Sequence, residues 1–182
     1  NLSRGLGDVY KRQSLGQGLL AVAAAEYAKA GLSVEDAIAA VEKLIPETRT
    51  YGLLKDLRFA VRGGRVPRWV KTIADLLRAT AIIRTVPDGR VASGTFLFGR
   101  RNRIPRFARY VARLTPAAGT LDVAIGHALC PEDAAELERE LQQRLDNIHR
   151  TTITDIGAAL GVHGGPGTLI VATQPYSRPA AS

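Results

Sequence analysis

Gly161 to Val171 reads G-V-H-G-G-P-G-T-L-I-V, and how this stretch bends decides how the rest of the chain is arranged. His163 is followed at once by Gly164-Gly165-Pro166-Gly167 and then by an apolar run of strand character. Glycine admits positive φ and close approach of backbone to a neighbour, while proline fixes φ at a turn. Such a turn can carry an imidazole out of its own strand and aim it at a polar group in a pocket. The same residues also suit a plain hairpin turn beside a strand-end histidine. The residues alone leave both readings open.

Working outward, the spacing predicts a strand over 120–128, a charged helix from Pro131 to about Ile148, and strands over 151–156 and 167–173. Upstream, 79–86 and 91–98 are strand-like runs joined by Pro87-Asp88-Gly89-Arg90, a hairpin signal. Asn102 is placed to cap a helix over 103–114. Nearer the start, Gly16-Gln17-Gly18 precedes an alanine-rich helix over 19–30 that Gly31 can end. Ser33 and Asp36 open a second helix that runs to Pro46. A strand over 48–54 and a short helix over 57–62 follow, the latter closed by Gly63-Gly64. A further helix from Val66-Pro67 would set Trp69, Val70, Ile73, Leu76 and Leu77 on one face. Helices and strands alternate around at least one hairpin. The expected fold is therefore α/β, with a mixed, largely antiparallel sheet covered by helices.

The 182 residues are 46% hydrophobic and 23% charged, an ordinary globular balance. No apolar run is long enough to span a bilayer. Cys130 is the single cysteine, which excludes an internal disulfide and suits a reducing cytoplasm. His127, His149 and His163 lack ligand spacing, so no metal and no cofactor are expected. The chain has no methionine, and Asp8 to Gln13, D-V-Y-K-R-Q, reads as translated sequencing-adapter sequence. Residues 1–13 are therefore expected to be an artefactual leader, residues 14–174 the folded domain, and 175–182 a flexible tail, with fraying from Gln174.

The formal charge of +8 is uneven. Between Arg49 and Arg113 stand sixteen Lys and Arg against only Asp56, Asp75 and Asp88. Such a field can attract phosphate, an acidic protein or an anionic head group. Nucleic acid is disfavoured, because Arg100, Arg101, Arg103, Arg106, Arg109 and Arg113 have only Phe107 and Tyr110 interleaved and no nucleic-acid motif accompanies them. A solvated arginine face accounts for them equally well.

Catalytic motifs are scarce. No nucleophile elbow, P-loop or zincin helix is present. Gly16-Gln17-Gly18 has the outline of a phosphate cradle but lacks the remaining glycine, so a tight turn at a helix start is preferred. Asp155 and His163 could approach across neighbouring strands, yet without a positioned nucleophile they do not make an enzyme. Binding is favoured over catalysis. The alternatives are a small enzyme using His163 as acid or base and a basic nucleic-acid or scaffold-binding domain.

Four motifs in order narrow this. S-L-G-Q-G from Ser14, K-D-L-R-F-A-V-R-G-G-R-V from Lys55 to Val66, P-D-G-R-V from Pro87, and H-G-G-P-G from His163 together resemble the successive signatures of the DegV family. The resemblance covers nearly everything after residue 13. It implies a non-catalytic protein that encloses a long-chain fatty acid and presents its carboxylate to a separate ATP-dependent kinase subunit, making acyl phosphate for phospholipid synthesis. It further implies that His163, Gly164, Gly167 and Ser14 contribute to the ligand site. Arg65, Arg100, Arg101 and Arg103 would then lie where the kinase docks. An imidazole donating to a buried carboxylate offsets part of the cost of desolvating that charge.

The chain also departs from the family pattern. Arg12-Gln13 stands where Asp-Ser is usual, Ala60 where Leu is usual and Val66 where Ile is usual. Family members carry an N-terminal α/β domain whose hydroxyls hold the carboxylate directly, and that domain is not in this sequence. The chain is therefore expected to be the C-terminal half, with an apolar face that promotes aggregation or pairing.

Overall fold

The structure is a computed structural model that describes residues 15–64, 72, 76, 79–86, 91–99, 101–116 and 118–177. Its elements run α1 (Leu15–Lys29), α2 (Val34–Leu44), β1 (Arg49–Leu54), α3 (Leu57–Arg62), β2 (Ala79–Thr85), β3 (Val91–Phe98), α4 (Arg103–Leu114), β4 (Leu121–His127), α5 (Pro131–Gln142), β5 (Ile148–Asp155), α6 (Ala158–Gly164) and β6 (Leu169–Pro175). The strands form one six-stranded sheet in the order β3-β2-β1-β6-β4-β5. Every neighbouring pair is antiparallel except β4 and β5. The α/β class and the mixed, largely antiparallel sheet are as the sequence predicts.

The sheet is sandwiched because its central strands alternate apolar side chains on both faces. On one face Tyr51, Leu53, Ile82, Val123, Ile125, Leu169 and Val171 meet α4 and α5 in the main core. Helix α4 supplies Ile104, Phe107, Ala108 and Val111, spaced 3-1-3, and α5 supplies Ala134, Leu137 and Leu141. On the other face Leu19 of α1 packs on Ala124 and Ala172. Small residues on both sides let that helix lie close to the strands. Tyr27 and Ala23 then tie α1 to Leu44 of α2.

Helix ends follow their residues. Gly31, at φ 87°, ends α1 with Leu32 N–H donating to Tyr27 O at 3.2 Å and Gly31 N–H to Ala28 O at 3.1 Å. Ser33 Oγ accepts from Asp36 N–H at 3.1 Å, capping α2 as expected. Asp56 Oδ1 accepts from Arg58 N–H at 2.8 Å and opens α3.

Several boundaries depart from expectation. Helix α1 starts at Leu15, so Gly16 and Gly18 lie inside its first turn and the cradle-like loop is helix. Burial of Leu19 against the sheet holds this glycine-containing turn despite its weak propensity. Asn102 sits at the N-cap of α4 in a left-handed conformation, φ 53°, with no side-chain capping bond. Helix α5 stops at Gln142, and Ile148 already belongs to β5, because pairing of Leu121 with Ile148 captures that segment into the sheet. The chain is not frayed at Gln174. Its side chain is 1% exposed and donates from Nε2 to Thr48 Oγ1 at 2.9 Å. Of the helix expected from Val66-Pro67, only Thr72 and Leu76 are described; Trp69, Val70, Ile73 and Leu77 lie outside the described residues, as does the turn at 87–90.

Candidate functional site

The strand directions gather the sequence motifs at one end of the sheet. There β4 leaves at His127 opposite the start of β6 at Leu169, and β1 leaves opposite the same residue. The first turn of α1 arrives there too, since a Cβ on Gly126 would press on Leu15. The 161–171 stretch forms the corner. His163 and Gly164 are the last turn of α6, and Gly165, at φ 73°, ends it with its N–H on Gly161 O at 2.8 Å. Gly165 to Thr168 is then a type II turn: Pro166 is second, Gly167 third at φ 82°, and Thr168 N–H reaches Gly165 O at 3.3 Å. His163 is thus a helix-end residue and not a strand-end one. The apolar pattern after it hid the short helix before it.

This corner is seated on the segment from Lys55 to Gly64, about a hundred residues upstream. A Cβ on Gly63 would overlap the His163 ring at Nδ1, one on Gly165 would enter the Phe59 ring, and one on Gly167 would meet the Lys55 stem. Two motifs that were only ordered in sequence are in contact in space. Ala60, where the family pattern has Leu, is buried with Leu54, Leu57 and Ala81 beneath α3.

The polar atoms of the corner are unevenly satisfied. His163 Nδ1 and Thr168 Oγ1 are buried with no hydrogen-bond partner. Buried polar atoms are ordinarily paired, so these two leave hydrogen-bonding capacity at the corner, as Tyr51 Oη and Thr151 Oγ1 do elsewhere among the described residues. His163 Nδ1 is sealed against Gly63, where an added Cβ would overlap it. Around them Leu129 is 82% exposed and Val162 63% exposed, an apolar rim at the same end of the sheet. The adjacent Cys130 is buried with Sγ on Thr168 O at 3.6 Å, and burial, with Asp133 adding to it, pushes its thiol up.

Asp155 does not approach His163. Its carboxylate lies beside His127, Oδ1 to Nδ1 at 3.4 Å, on the parallel β4–β5 pair, where His127 and Asp155 are in register. His149 belongs to the opposite end: its Nδ1 is 3.0 Å from Asp122 Oδ1, and its ring stacks on Tyr176 at 3.9 Å. Asp122, nearly buried, also receives Arg150 at 2.6 Å, and Arg150 in turn reaches Glu26 of α1 at 2.6 Å. That cluster fastens β5 and α1 to β4, and its charges are used up in doing so.

Of the basic residues singled out, Arg101 is exposed just before α4, at the same end of the sheet as His163. Arg103 is committed to Asp133 at 2.6 Å, clipping the start of α4 to the start of α5. Ser14, Arg65 and Arg100 lie outside the described residues. Sequence reasoning missed the seating of His163 on Gly63. The adjacent glycines after α3 were the only local signal.

The sequence profile of the DegV family, described as uncharacterised proteins, matches residues 11–175. The chain belongs to the DegV family. A DegV domain-containing protein of Clostridium perfringens is 29% identical over 157 residues, covering 86% of this chain and 55% of that protein. The chain spans about half the length of the curated relatives it matches. Among solved structures, a DegV family protein of Ruminococcus gnavus, refined with vaccenic acid, is 26% identical with a TM-score of 0.73, covering 85% of this chain and 55% of that one. A Thermotoga maritima protein whose structure is described as revealing a fatty acid binding function has the same fold, with a TM-score of 0.74 at 20% identity, over 88% of this chain and 55% of that one. Among the described residues no three His, Cys, Asp or Glu side chains converge as a metal site, and no helix is long and apolar enough to cross a membrane.

Proposed function

We propose that this DegV chain is the C-terminal half of a cytoplasmic carrier that binds a long-chain fatty acid, with His163 holding its carboxylate. The observation that carries the reading is the glycine-seated imidazole of His163, its buried Nδ1 unpartnered, at the same end of the sheet as the exposed apolar side chains of Leu129 and Val162. A fatty acid presents that combination of one anionic end and a long apolar remainder. The vaccenic acid in the R. gnavus neighbour supports the ligand class.

In this reading the chain is a binding subunit and not a catalyst. Against the acid–base alternative, among the described residues no carboxylate is bonded to His163, and Asp155 faces His127. Gly164 and Gly167 shape the corner, and Ser14 would join the site. The N-terminal half would supply further hydroxyls. The carboxylate is presented to a kinase subunit that docks on the basic middle third, through Arg101 and with Arg65, Arg100 and Arg103. The exposure of Arg101 at the His163 end supports that placement.

Lipid extracted under denaturing conditions from the protein purified from bacteria, both as this chain and within its full reading frame, tests the ligand. Mass spectrometry is expected to find stoichiometric long-chain fatty acid in the full-length form. A lipid-free protein with no thermal shift on adding oleic acid would contradict the proposal.

A further inference from the structure

We propose that Gly63 is a positioning residue: by carrying no side chain it seats the His163 ring so that Nε2, and not Nδ1, meets the ligand. The ligand is the fatty acid of the preceding proposal; the seating itself rests on geometry alone.

Gly63 has φ −76° and ψ 2°, a conformation open to any L-residue, so its backbone does not ask for glycine. What asks for it is space. A Cβ there would overlap His163 Nδ1 and stand 3.0 Å from Cε1, whereas the next neighbour, the Phe59 carbonyl, would be in ordinary contact at 3.4 Å. Gly64 is the reverse case: φ is 68° and nothing lies within 4 Å of a Cβ, so there the backbone needs glycine and the space does not. Two adjacent glycines therefore serve different ends, one to finish α3 and one to receive a ring from α6.

The backbone that follows His163 leaves little slack, since a Cβ on Gly164 would meet the Thr168 side chain and one on Gly165 the Phe59 ring, so the half-buried His163 ring is the part that gives way. With Nδ1 buried and unpartnered, a neutral imidazole that serves a carboxylate carries its proton on Nε2. An added methyl at position 63 would turn the ring and misdirect that donor without touching the ligand.

The test uses the 182-residue protein in four forms: wild type, Gly63→Ala, His163→Ala and the double variant. Three readouts apply: imidazole nitrogen–proton NMR correlations of His163 without ligand, thermal unfolding, and oleic acid affinity. Gly63→Ala is expected to shift the His163 ring signals and to weaken oleic acid about 10- to 100-fold, the loss of one hydrogen bond to a charged group. In the His163→Ala background the same substitution should leave affinity unchanged and recover the melting temperature lost by Gly63→Ala alone. Unshifted ring signals, or an equal loss in both backgrounds, would overturn the proposal. Should Gly63→Ala fail to fold, refolding in the double variant supports it and persistent unfolding refutes it. If the 182-residue wild type takes up no oleic acid, the affinity arm is read on the full-length protein, whose failure to bind would sink the fatty-acid reading, while the ring signals and the thermal cycle still decide the role of Gly63.

Discussion

Glycine explains more of this corner than histidine does. Gly63, Gly165 and Gly167 each leave room for a side chain from elsewhere, and Gly64, Gly165 and Gly167 also hold positive φ. The composition of H-G-G-P-G announced a turn, and its Pro166-Gly167 half was legible because type II turns have those requirements. The seating of His163 was not legible, since it depends on a contact between residues 63 and 163 that no local pattern encodes. Gly64→Ala is expected to destabilise the protein by about 1 kcal/mol through left-handed strain alone, read as a drop in thermal or urea midpoint. An unchanged midpoint would mean that α3 ends differently from the structure.

At the scale of elements, burial overrode local propensity wherever the two disagreed. The Gly16-Gln17-Gly18 turn is helical because Leu15 and Leu19 pack on the sheet, and the end of the long charged segment became β5 because β4 offered it a partner. Gly18 sits in α1 without positive φ, and a Cβ added there would meet no atom within 4 Å. Gly18→Ala should therefore stabilise the protein by about 0.5–1 kcal/mol, measured by denaturant titration; destabilisation would argue that the turn is not helix. Helix α4 shows the opposite agreement, its apolar stripe being readable directly from spacing. Phe107, wholly buried at its centre, is expected to cost about 3–5 kcal/mol on Phe107→Ala, seen as loss of cooperative unfolding at ordinary temperature.

Over the whole molecule, alternation of helices and strands and the 79–98 hairpin were enough to give the class of sheet. The strand order was not available, because β1 lies between β2 and β6 only through long-range pairing. That order matters for function: it places His163, Lys55, Arg101 and the apolar Leu129 and Val162 at one end. An apolar rim of this kind should drive self-association when nothing covers it. Size-exclusion chromatography of the chain is expected to show dimers or larger species that diminish in Leu129→Ser/Val162→Ser. A monodisperse wild-type monomer would contradict the account of that surface. The Asp122–Arg150–Glu26 cluster at the far end is left intact by that pair of substitutions, so a change in association would not reflect loss of the sheet.

The central claim is that His163 recognises a carboxylate, and comparing oleic acid with oleyl alcohol isolates it, since the two ligands share the same chain. Their affinities for wild type and for His163→Ala are to be measured by displacement of a fluorescent fatty acid. Wild type should prefer the acid by at least about tenfold, and His163→Ala should bind both ligands alike. An acid preference that survives in His163→Ala, or a wild type indifferent to the head group, would contradict the claim.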